Sequence, residues 1–154
     1  MGAGSQIGFE KSGASFDTIE AIAFTQLRTD HGADLPAYIG AAQSDTREQR
    51  LTIMGPTGDG GINPSTRELI ERLFGPQGAY PYLSDAFKPR SSLGYRVRSI
   101  DVPASGSKRW ARYQTDHVKM SAIPVHHGDI PALAWRIEIA GQSIVITGSF
   151  NNSK

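Results

Sequence analysis

The sequence contains no cysteine, so disulfides and thiolate-bound metals are excluded and any metal would have to bind through histidine, aspartate or glutamate. No apolar run approaches the roughly 18 residues that a membrane-spanning helix needs. We therefore expect no membrane segment. The first residues lack the basic and apolar regions of a secretory signal, so the localisation stays open, with the cytoplasm as the default.

Extremes of composition are absent as well. Hydrophobic residues make up 38% of the 154 residues and charged residues 20%, the formal charge is +1, and there is no low-complexity tract. This balance is typical of a folded chain and not of a disordered one. The length predicts a single domain over residues 1–154 with one modest core.

The near-neutral total hides an uneven distribution of charge. Residues 1–87 hold 6 Lys and Arg against 11 Asp and Glu, whereas residues 88–119 hold 8 against 2. The simpler interpretation is that these cations lie on solvated strand faces. The alternative is a patch that binds phosphate or nucleic acid. Its candidate residues are Arg96, Arg98, Arg109 and Arg112.

The first half of the chain reads as two strand–helix units. Alternating apolar residues predict a buried strand from Phe16 to Thr25, and residues 25–31 form the loop at its carboxyl end. A helix then opens near Leu35. The run L-T-I-M-G-P, residues 51–56, predicts a second strand that a Gly-Pro break ends.

A capping box marks the next helix, because Ser65 is followed three residues later by Glu68 and then by an apolar stripe that ends at Gly75. Residues 75–94 are rich in Gly and Pro and predict an irregular crossing loop. From Tyr95 onward the alternation changes to a period of two, which predicts four or five antiparallel strands. The last two strands form a hairpin around A-G-Q. Together these elements predict an α/β sandwich.

Polar residues follow two of the predicted strands. Asp30 and His31 come after the first strand, and His126 and His127 come after a strand nearly a hundred residues later. Clusters from separate strand ends are how open α/β layers assemble a site. A carboxylate with imidazoles suits zinc, iron or manganese, and it also suits a general acid–base pair. In the simpler interpretation Asp30 caps the following helix and His126 is a surface residue.

A family resemblance narrows these alternatives. The stretch D-T-I-E-A-I-A-F-T-Q-L-R-T-D-H-G-A-D-L-P resembles the first metal-binding loop of the metallo-β-lactamase superfamily, whose pattern is T-H-x-H-x-D-H between a strand and a helix. L-T-I-M-G-P-T-G resembles the following strand and turn in the ribonuclease Z and arylsulfatase-like branch. S-A-I-P-V-H-H-G-D-I-P-A-L-A-W-R-I-E resembles the strand with the third histidine, and S-I-V-I-T-G-S-F resembles the strand that usually reads S-G-D-T.

The resemblance implies an αββα sandwich of which this chain is the central portion, truncated at both ends. The start M-G-A-G-S-Q resembles the family's D-C-G-x-G, which follows an opening hairpin, and the last family histidine would lie beyond Lys154.

The departures from the family pattern affect the metal ligands. Gln26 and Arg28 stand where the resemblance places the first two histidines, and Ser149 stands where it places the bridging aspartate. The remaining ligands are Asp30, His31 and His127. The resemblance assigns His127 to one metal site and Asp30 with His31 to the other. Because arginine keeps its proton and two ligands are too few for zinc, we expect no tightly bound cofactor and, at most, zinc at low occupancy.

The resemblance therefore predicts a hydrolase-like protein with a degenerate metal centre that is non-catalytic or severely impaired. One alternative is a hydrolase of an ester or phosphodiester that holds a single ion on the remnant ligands, with Asp30 as its catalytic residue. Another alternative is a module that binds nucleic acid or a phosphorylated ligand. In the leading interpretation the Arg28 guanidinium replaces the ion and lies near Asp30 or His127.

The resemblance also implies partners. A partial sandwich would leave a sheet edge or an apolar face uncovered, so we expect a homo-oligomer that forms through an exposed sheet. The residues expected on that surface are Leu133, Trp135, Ile137 and Ile144. Nucleic acid is the less favoured partner, and no membrane partner is expected.

Overall fold

Two β-sheets carry the fold. The protein is described by a computed structural model, which covers residues 1–42 and 47–151. Within those residues three strands form a parallel sheet and four form an antiparallel sheet. The α-helices in the same residues are α1 (Ser5–Lys11), α2 (Thr29–Gly32), α3 (Leu35–Ala42) and α4 (Thr66–Phe74). None of the helices in the described ranges is long and apolar enough to cross a membrane.

The parallel sheet has the order β1 (Ala21–Ala23), β2 (Leu51–Pro56) and β3 (Val97–Val102). All six positions of the central strand β2 are buried. A parallel strand that is covered on both faces is typically apolar along its length, and here Leu51, Ile53 and Met54 are fully buried with the small polar Thr52 between them. Its neighbour β3 pairs with it from Leu51↔Val97 to Pro56↔Val102.

The antiparallel sheet has the order β4 (Trp110–Gln114), β5 (Val118–Val125), β6 (Ala132–Ile139) and β7 (Gln142–Ile146). The turn between β6 and β7 consists of Ala140 and Gly141, with φ angles of 49° and 76°. Positive φ at both turn residues is the backbone of a tight hairpin whose twist matches the flanking strands. The predicted hairpin around A-G-Q is confirmed.

Two apolar clusters fill the spaces on either side of the parallel sheet. One cluster joins the sheet to the helices, with Leu35, Ile53 and Phe74 among its fully buried members. The other lies between the two sheets, where Met54 of β2 packs with Trp135 of β6. The layers are therefore helix, parallel sheet and antiparallel sheet.

Local polar contacts set the helix ends. The Ser65 Oγ accepts a hydrogen bond from the Glu68 backbone N–H at 3.2 Å, and a Glu68 carboxylate oxygen accepts from the Ser65 N–H at 2.6 Å, so the predicted capping box of α4 is confirmed. The Asp34 carboxylate accepts from the Gln6 backbone N–H at 3.0 Å and from the Ser5 hydroxyl at 3.2 Å. These bonds, led by that of Gln6, lower the pKa of Asp34 and tie α1 to the start of α3.

Several elements differ from the predicted ones. Only Ala21–Ala23 of the predicted strand 16–25 is β-structure, because Phe16–Thr18 forms a 3₁₀ turn in which the Asp17 N–H donates to the Ser15 hydroxyl. The predicted loop 25–31 contains the single helical turn α2. Strand β3 is parallel to β2 and not antiparallel, since apolar alternation does not encode the direction of the partner.

The remaining expectations are met in part. The helix near Leu35 begins at that residue, and Gln43, which belongs to its pattern, lies outside the described residues. The predicted crossing loop 75–94 contains a 3₁₀ segment, Pro81–Phe87. The expected exposed surface is wrong for Leu133 and Trp135, which are 0% and 1% exposed, because they fill the space between the sheets.

The two sheets are joined at the end of β1. The Phe24 carbonyl accepts a hydrogen bond from the Trp135 indole N–H at 2.9 Å, and the Thr25 carbonyl accepts from the Leu133 backbone N–H at 2.8 Å. Both donors belong to β6. The carboxyl end of the parallel sheet is therefore fixed to the antiparallel sheet through two consecutive peptide carbonyls.

The first testable prediction concerns this joint. Replacing Trp135→Phe removes the indole donor from a buried carbonyl, and we expect a loss of about 1–3 kcal/mol in the free energy of unfolding, measured by urea denaturation. The control is Trp110→Phe, whose ring packs against Trp135 at 6.0 Å but donates to no carbonyl among the described residues. Equal losses in the two variants would show that packing alone joins the sheets.

The second prediction concerns the open edge of the antiparallel sheet. All five residues of β7 are exposed, and three of them, Ile144, Val145 and Ile146, are apolar. We expect a second copy to pair at this edge, because a two-fold axis through Val145 would place Val145 opposite its own copy and Ile144 opposite Ile146. We expect dimers by light scattering at tens of micromolar.

Lysine on the edge should prevent this pairing, so Val145→Lys is expected to give a monomer. Ile62→Lys is the matched control, because Ile62 is 90% exposed in a loop and its replacement should leave the dimer intact. A monomeric wild-type chain would contradict the prediction.

Candidate functional site

The candidate site begins where β1 ends. The Phe24 N–H donates to the Met54 carbonyl at 2.7 Å and Phe24 is buried, so the backbone is fixed up to Thr25. The next residues turn away from the sheet, and α2 begins at Thr29 with Arg28 at its N-cap position. This places Gln26, Arg28 and the residues of α2 at the carboxyl edge of the parallel sheet.

Both ring nitrogens of His31 are engaged by side chains at the end of β1. Its Nε2 lies 2.7 Å from the Gln26 amide nitrogen, and its Nδ1 lies 3.2 Å from the Thr25 hydroxyl. With the amide nitrogen as the donor, Nε2 accepts and the ring proton is on Nδ1, where the hydroxyl oxygen can accept it. The two contacts fix the orientation of the ring.

Gln26 is the buried member of this group. Its side chain is 1% exposed, and its amide oxygen has no hydrogen-bond partner among the described residues. A buried amide that uses only its nitrogen is an incompletely satisfied group, which carries a free-energy cost. The bond to His31 is therefore the interaction that holds Gln26 in the interior.

Arg28 and Asp30 form an ion pair beside the ring. Nε of Arg28 lies 3.6 Å from one carboxylate oxygen of Asp30, and the two side chains are 58% and 65% exposed. The guanidinium thus lies near Asp30, one of the two positions expected for it. The other Asp30 oxygen is 3.6 Å from Nε2 of His31, a nitrogen that already accepts from Gln26. Asp30 lies within the first turn of α2 and is not its N-cap residue.

The second strand end contributes His126 and His127. His127 is half-buried, and its Nδ1 is buried without a hydrogen-bond partner in the part of the chain that the structure describes. His126 is exposed, as the simpler interpretation predicted, and its carbonyl accepts from the Asn151 N–H at 2.8 Å. No hydrogen bond or ion pair joins His127 to Asp30 or His31 within those residues.

The segment that carries Ser149 returns to the same region. A Cβ built on Gly148 would lie 2.7 Å from Cβ of Thr25, so the backbone at 148 passes directly over that residue. Two residues after Ser149, Asn151 bonds to the His126 carbonyl. Ser149 therefore lies on the segment that passes from the end of β1 to the end of β5.

Sequence reasoning missed two parts of this region. Thr25 was treated only as the end of a strand, although its hydroxyl contacts His31 and its carbonyl holds β6. The Gly-rich turn after Pro56 is ordered by Asp59, whose carboxylate accepts from the Asn63 amide at 2.6 Å, and Asn63 also donates to the Asp129 carbonyl. The Asp-x-x-x-Asn spacing was the available signal.

The four arginines of the predicted basic patch line two hollows. Arg96 and Arg98 line hollows beside β3, whereas Arg109 and Arg112 line a separate hollow beside β4. The two pairs share no lining residue.

Comparisons with known proteins define the relationship. No family model matches the sequence. Ribonuclease Z of Lachnospira eligens is 35% identical over 72 residues, which are 47% of this chain and 24% of that protein. Ribonuclease Z of Salinibacter ruber is 25% identical over 136 residues, which are 88% of this chain and 36% of that protein. The matched stretch is thus well under half the length of these relatives.

Similar solved structures indicate the same relationship. The short form of human tRNase Z has a TM-score of 0.69 at 20% identity, over 96% of this chain and 55% of that one. The metallo-β-lactamase fold protein YhfI of Bacillus subtilis has a TM-score of 0.59 at 15% identity, over 96% of this chain and 47% of that one. This chain is related to the metallo-β-lactamase superfamily. Its α/β architecture is the metallo-β-lactamase fold, and its sequence is ribonuclease Z-like.

The metals implied by a metallo-β-lactamase fold can be tested against the donors present. No three His, Asp or Glu side chains of the described residues converge on one point. Both nitrogens of His31 are occupied by Gln26 and Thr25, and Asp30 is paired with Arg28. The His127 Nδ1 and the Gln26 amide oxygen are the buried atoms of this region without a hydrogen-bond partner among the described residues, and two ligand atoms are fewer than a metal centre needs. The residues present do not fit the implied metal.

The third prediction tests the state of His31. Replacing Gln26→Leu removes the donor to Nε2, so the ring proton should move from Nδ1 toward Nε2, where Asp30 can accept it. Nitrogen NMR of the imidazole distinguishes the two tautomers directly. The exposed His117 and His126 serve as internal controls and should keep their signals. A wild-type His31 that already carries its proton on Nε2 would contradict the assigned hydrogen bonds.

Proposed function

We propose that this chain is a hydrolase-like metallo-β-lactamase fold protein with a degenerate metal centre and without metal-dependent hydrolysis. The observation that supports this most directly is the hydrogen bond between Gln26 and His31. It occupies the imidazole nitrogen that faces the acid, and it uses a residue that stands where the family resemblance places a histidine. The site's polar groups are thus bonded to one another.

The ion pair of Arg28 supports the same proposal. At an effective dielectric near 20, a divalent ion about 4 Å from a guanidinium is disfavoured by roughly 8 kcal/mol. Because Arg28 is 58% exposed, water screens this repulsion and the side chain can swing away. The arginine therefore weakens a metal site but does not exclude one by itself.

A second candidate function is weakened by the contacts that its ligands already make. A hydrolase with one ion on Asp30, His31 and His127 is the second candidate, and the unpartnered His127 Nδ1 is the observation that favours it. That arrangement would require His31 to release Gln26 and Asp30 to release Arg28. It would also leave Gln26 buried without its remaining hydrogen bond, which costs about 1–3 kcal/mol. We therefore place it second.

The fourth prediction concerns metal content. Protein purified without chelator and dialysed is expected to hold well under one zinc or iron per chain and to show no metal-stimulated hydrolysis of a phosphodiester such as bis(p-nitrophenyl) phosphate. Restoring the three replaced positions together, Gln26→His, Arg28→His and Ser149→Asp, should raise zinc affinity far more than any single change, because ligands act as a unit.

A matched control separates this gain from adventitious binding. The same residue types introduced at exposed positions, Gln77→His, Arg112→His and Ser107→Asp, should leave zinc affinity unchanged. A stoichiometric ion in the wild-type chain that resists dialysis would refute the degenerate centre and favour the single-ion hydrolase. A triple variant without any gain would show that Ser149 and Gln26 are not at ligand positions.

A further inference from the structure

Positively charged arginine side chains lie next to one another at the amino ends of β2 and β3. The Leu51 N–H bonds to the Arg96 carbonyl at 3.0 Å and Leu51 pairs with Val97, so Arg50 and Arg96 lie next to each other at the start of neighbouring strands. Arg98 is two residues further along β3 and points to the same side as Arg96, since Val97 between them is buried. Adjacent like charges on neighbouring strands destabilise a sheet.

Two adjoining hollows of about 350 and 510 Å³ open at these arginines. Both hollows are lined by Arg50, Pro89 and Arg96. We call this surface the basic groove, and its cations are Arg50, Lys88, Arg90, Arg96 and Arg98.

Few anions balance these charges. Glu48 is the carboxylate among the lining residues of the groove. The carboxylate of Asp85 accepts a hydrogen bond from the Lys88 ammonium at 3.2 Å, so this cation of the groove is already paired. Hydrogen bonds from the Ser92 hydroxyl and backbone N–H hold the pKa of Asp85 well below its usual range, so that carboxylate stays charged. Among the lining residues that the structure describes, the four arginines therefore have one glutamate beside them.

Part of the groove is preorganised. A guanidinium nitrogen of Arg96 donates to the Pro89 carbonyl at 2.6 Å, which directs the side chain along the groove wall. Gly94, which also lines the groove, lies close to the backbone of Arg47. A Cβ built on Gly94 would lie 2.9 Å from the Arg47 carbonyl oxygen. Guanidinium groups held in this way suit the oxygens of phosphate, which they can bind in a bidentate manner.

We propose that the basic groove binds a small phosphorylated ligand that carries two or more phosphate groups. The volumes of its hollows are in the range of small-ligand sites. Its aromatic side chains do not offer a stacking surface for bases, because Tyr95 is 3% exposed and the Phe87 ring is stacked on Phe74 at 4.9 Å. The chemistry therefore favours compact phosphate groups over a single strand of nucleic acid.

The groove lies away from the candidate metal centre. It opens at the amino ends of β2 and β3, whereas Gln26 and His31 follow the carboxyl end of β1, and all three strands run in the same direction. Binding in the groove is therefore independent of whether the candidate centre holds a metal.

Inorganic triphosphate is the probe for the fifth prediction, with affinity measured by calorimetry at low and high salt on the intact chain. Replacing Arg50→Gln and Arg98→Gln together should weaken binding by about tenfold or more, because two charge-assisted contacts are lost. The matched control is Arg109→Gln with Arg112→Gln, which removes the same charge from the exposed residues of the other hollow and should change affinity by less than about twofold.

Further measurements separate the causes of a loss. The melting temperature of the Arg50→Gln and Arg98→Gln variant should not fall, since adjacent like charges have been removed. Arg50→Lys with Arg98→Lys keeps the charge but lacks the bidentate fork, so its affinity for triphosphate should lie between those of the wild type and the glutamine pair. A glutamine pair whose melting temperature falls together with its affinity would show a folding effect and overturn the proposal.

Three other results would also overturn it. The first is a wild-type chain that binds no triphosphate at low salt, and the second is an equal loss of affinity in the groove variant and the control. The third is a single-stranded RNA that binds more tightly as its length grows and is not displaced by triphosphate, since this would assign the groove to nucleic acid.

Discussion

The attachment of β6 to the end of β1 is the constraint on which the rest of the arrangement depends. Consecutive carbonyls of Phe24 and Thr25 accept from Trp135 and Leu133, and both donors are buried between the sheets. A buried carbonyl must find a donor, and here the donors come from the opposite layer. Because β6 follows directly after the loop that holds His127, this joint also brings the second strand end to the same side of the molecule as His31.

The same constraint explains why the candidate site is well ordered although it lacks a convergent set of ligands. Thr25 has its carbonyl bound to β6, its hydroxyl bound to His31 and its side chain covered by the backbone at Gly148. A residue held in three directions gives its neighbour Gln26 little freedom, and Gln26 in turn holds the imidazole. Order at such a site can thus come from hydrogen bonds between side chains, where a metal centre would derive it from coordination.

Features set by residues close in the sequence could be predicted, whereas features that depend on which distant strand or segment lies alongside could not. The capping box of Ser65 and Glu68 and the strand Leu51–Pro56 follow from residues close in the chain, and both are present. The direction of β3 depends on which strand it meets, and alternation is the same for either direction. Likewise Gln26, Asp30 and His31 lie within six residues and could be grouped, whereas the close approach of Gly148 to Thr25 depends on the hairpin formed by β6 and β7.

The positions of the cations in space could not be predicted from the sequence either. Residues 88–119 are one cationic stretch in sequence, but β3 and β4 belong to different sheets, and this separates Arg98 from Arg112. Arg50, which lies in the acidic half of the chain, joins Arg96 because β2 pairs with β3. At the carboxyl end of β1 the cation Arg28 is paired with Asp30. At the amino ends of β2 and β3, by contrast, several cations lie beside Glu48, the one carboxylate among the described residues that line the groove. Repulsion among the latter lowers stability in the free chain and falls when an anion binds, so this end of the sheet is the one whose electrostatics favour a ligand.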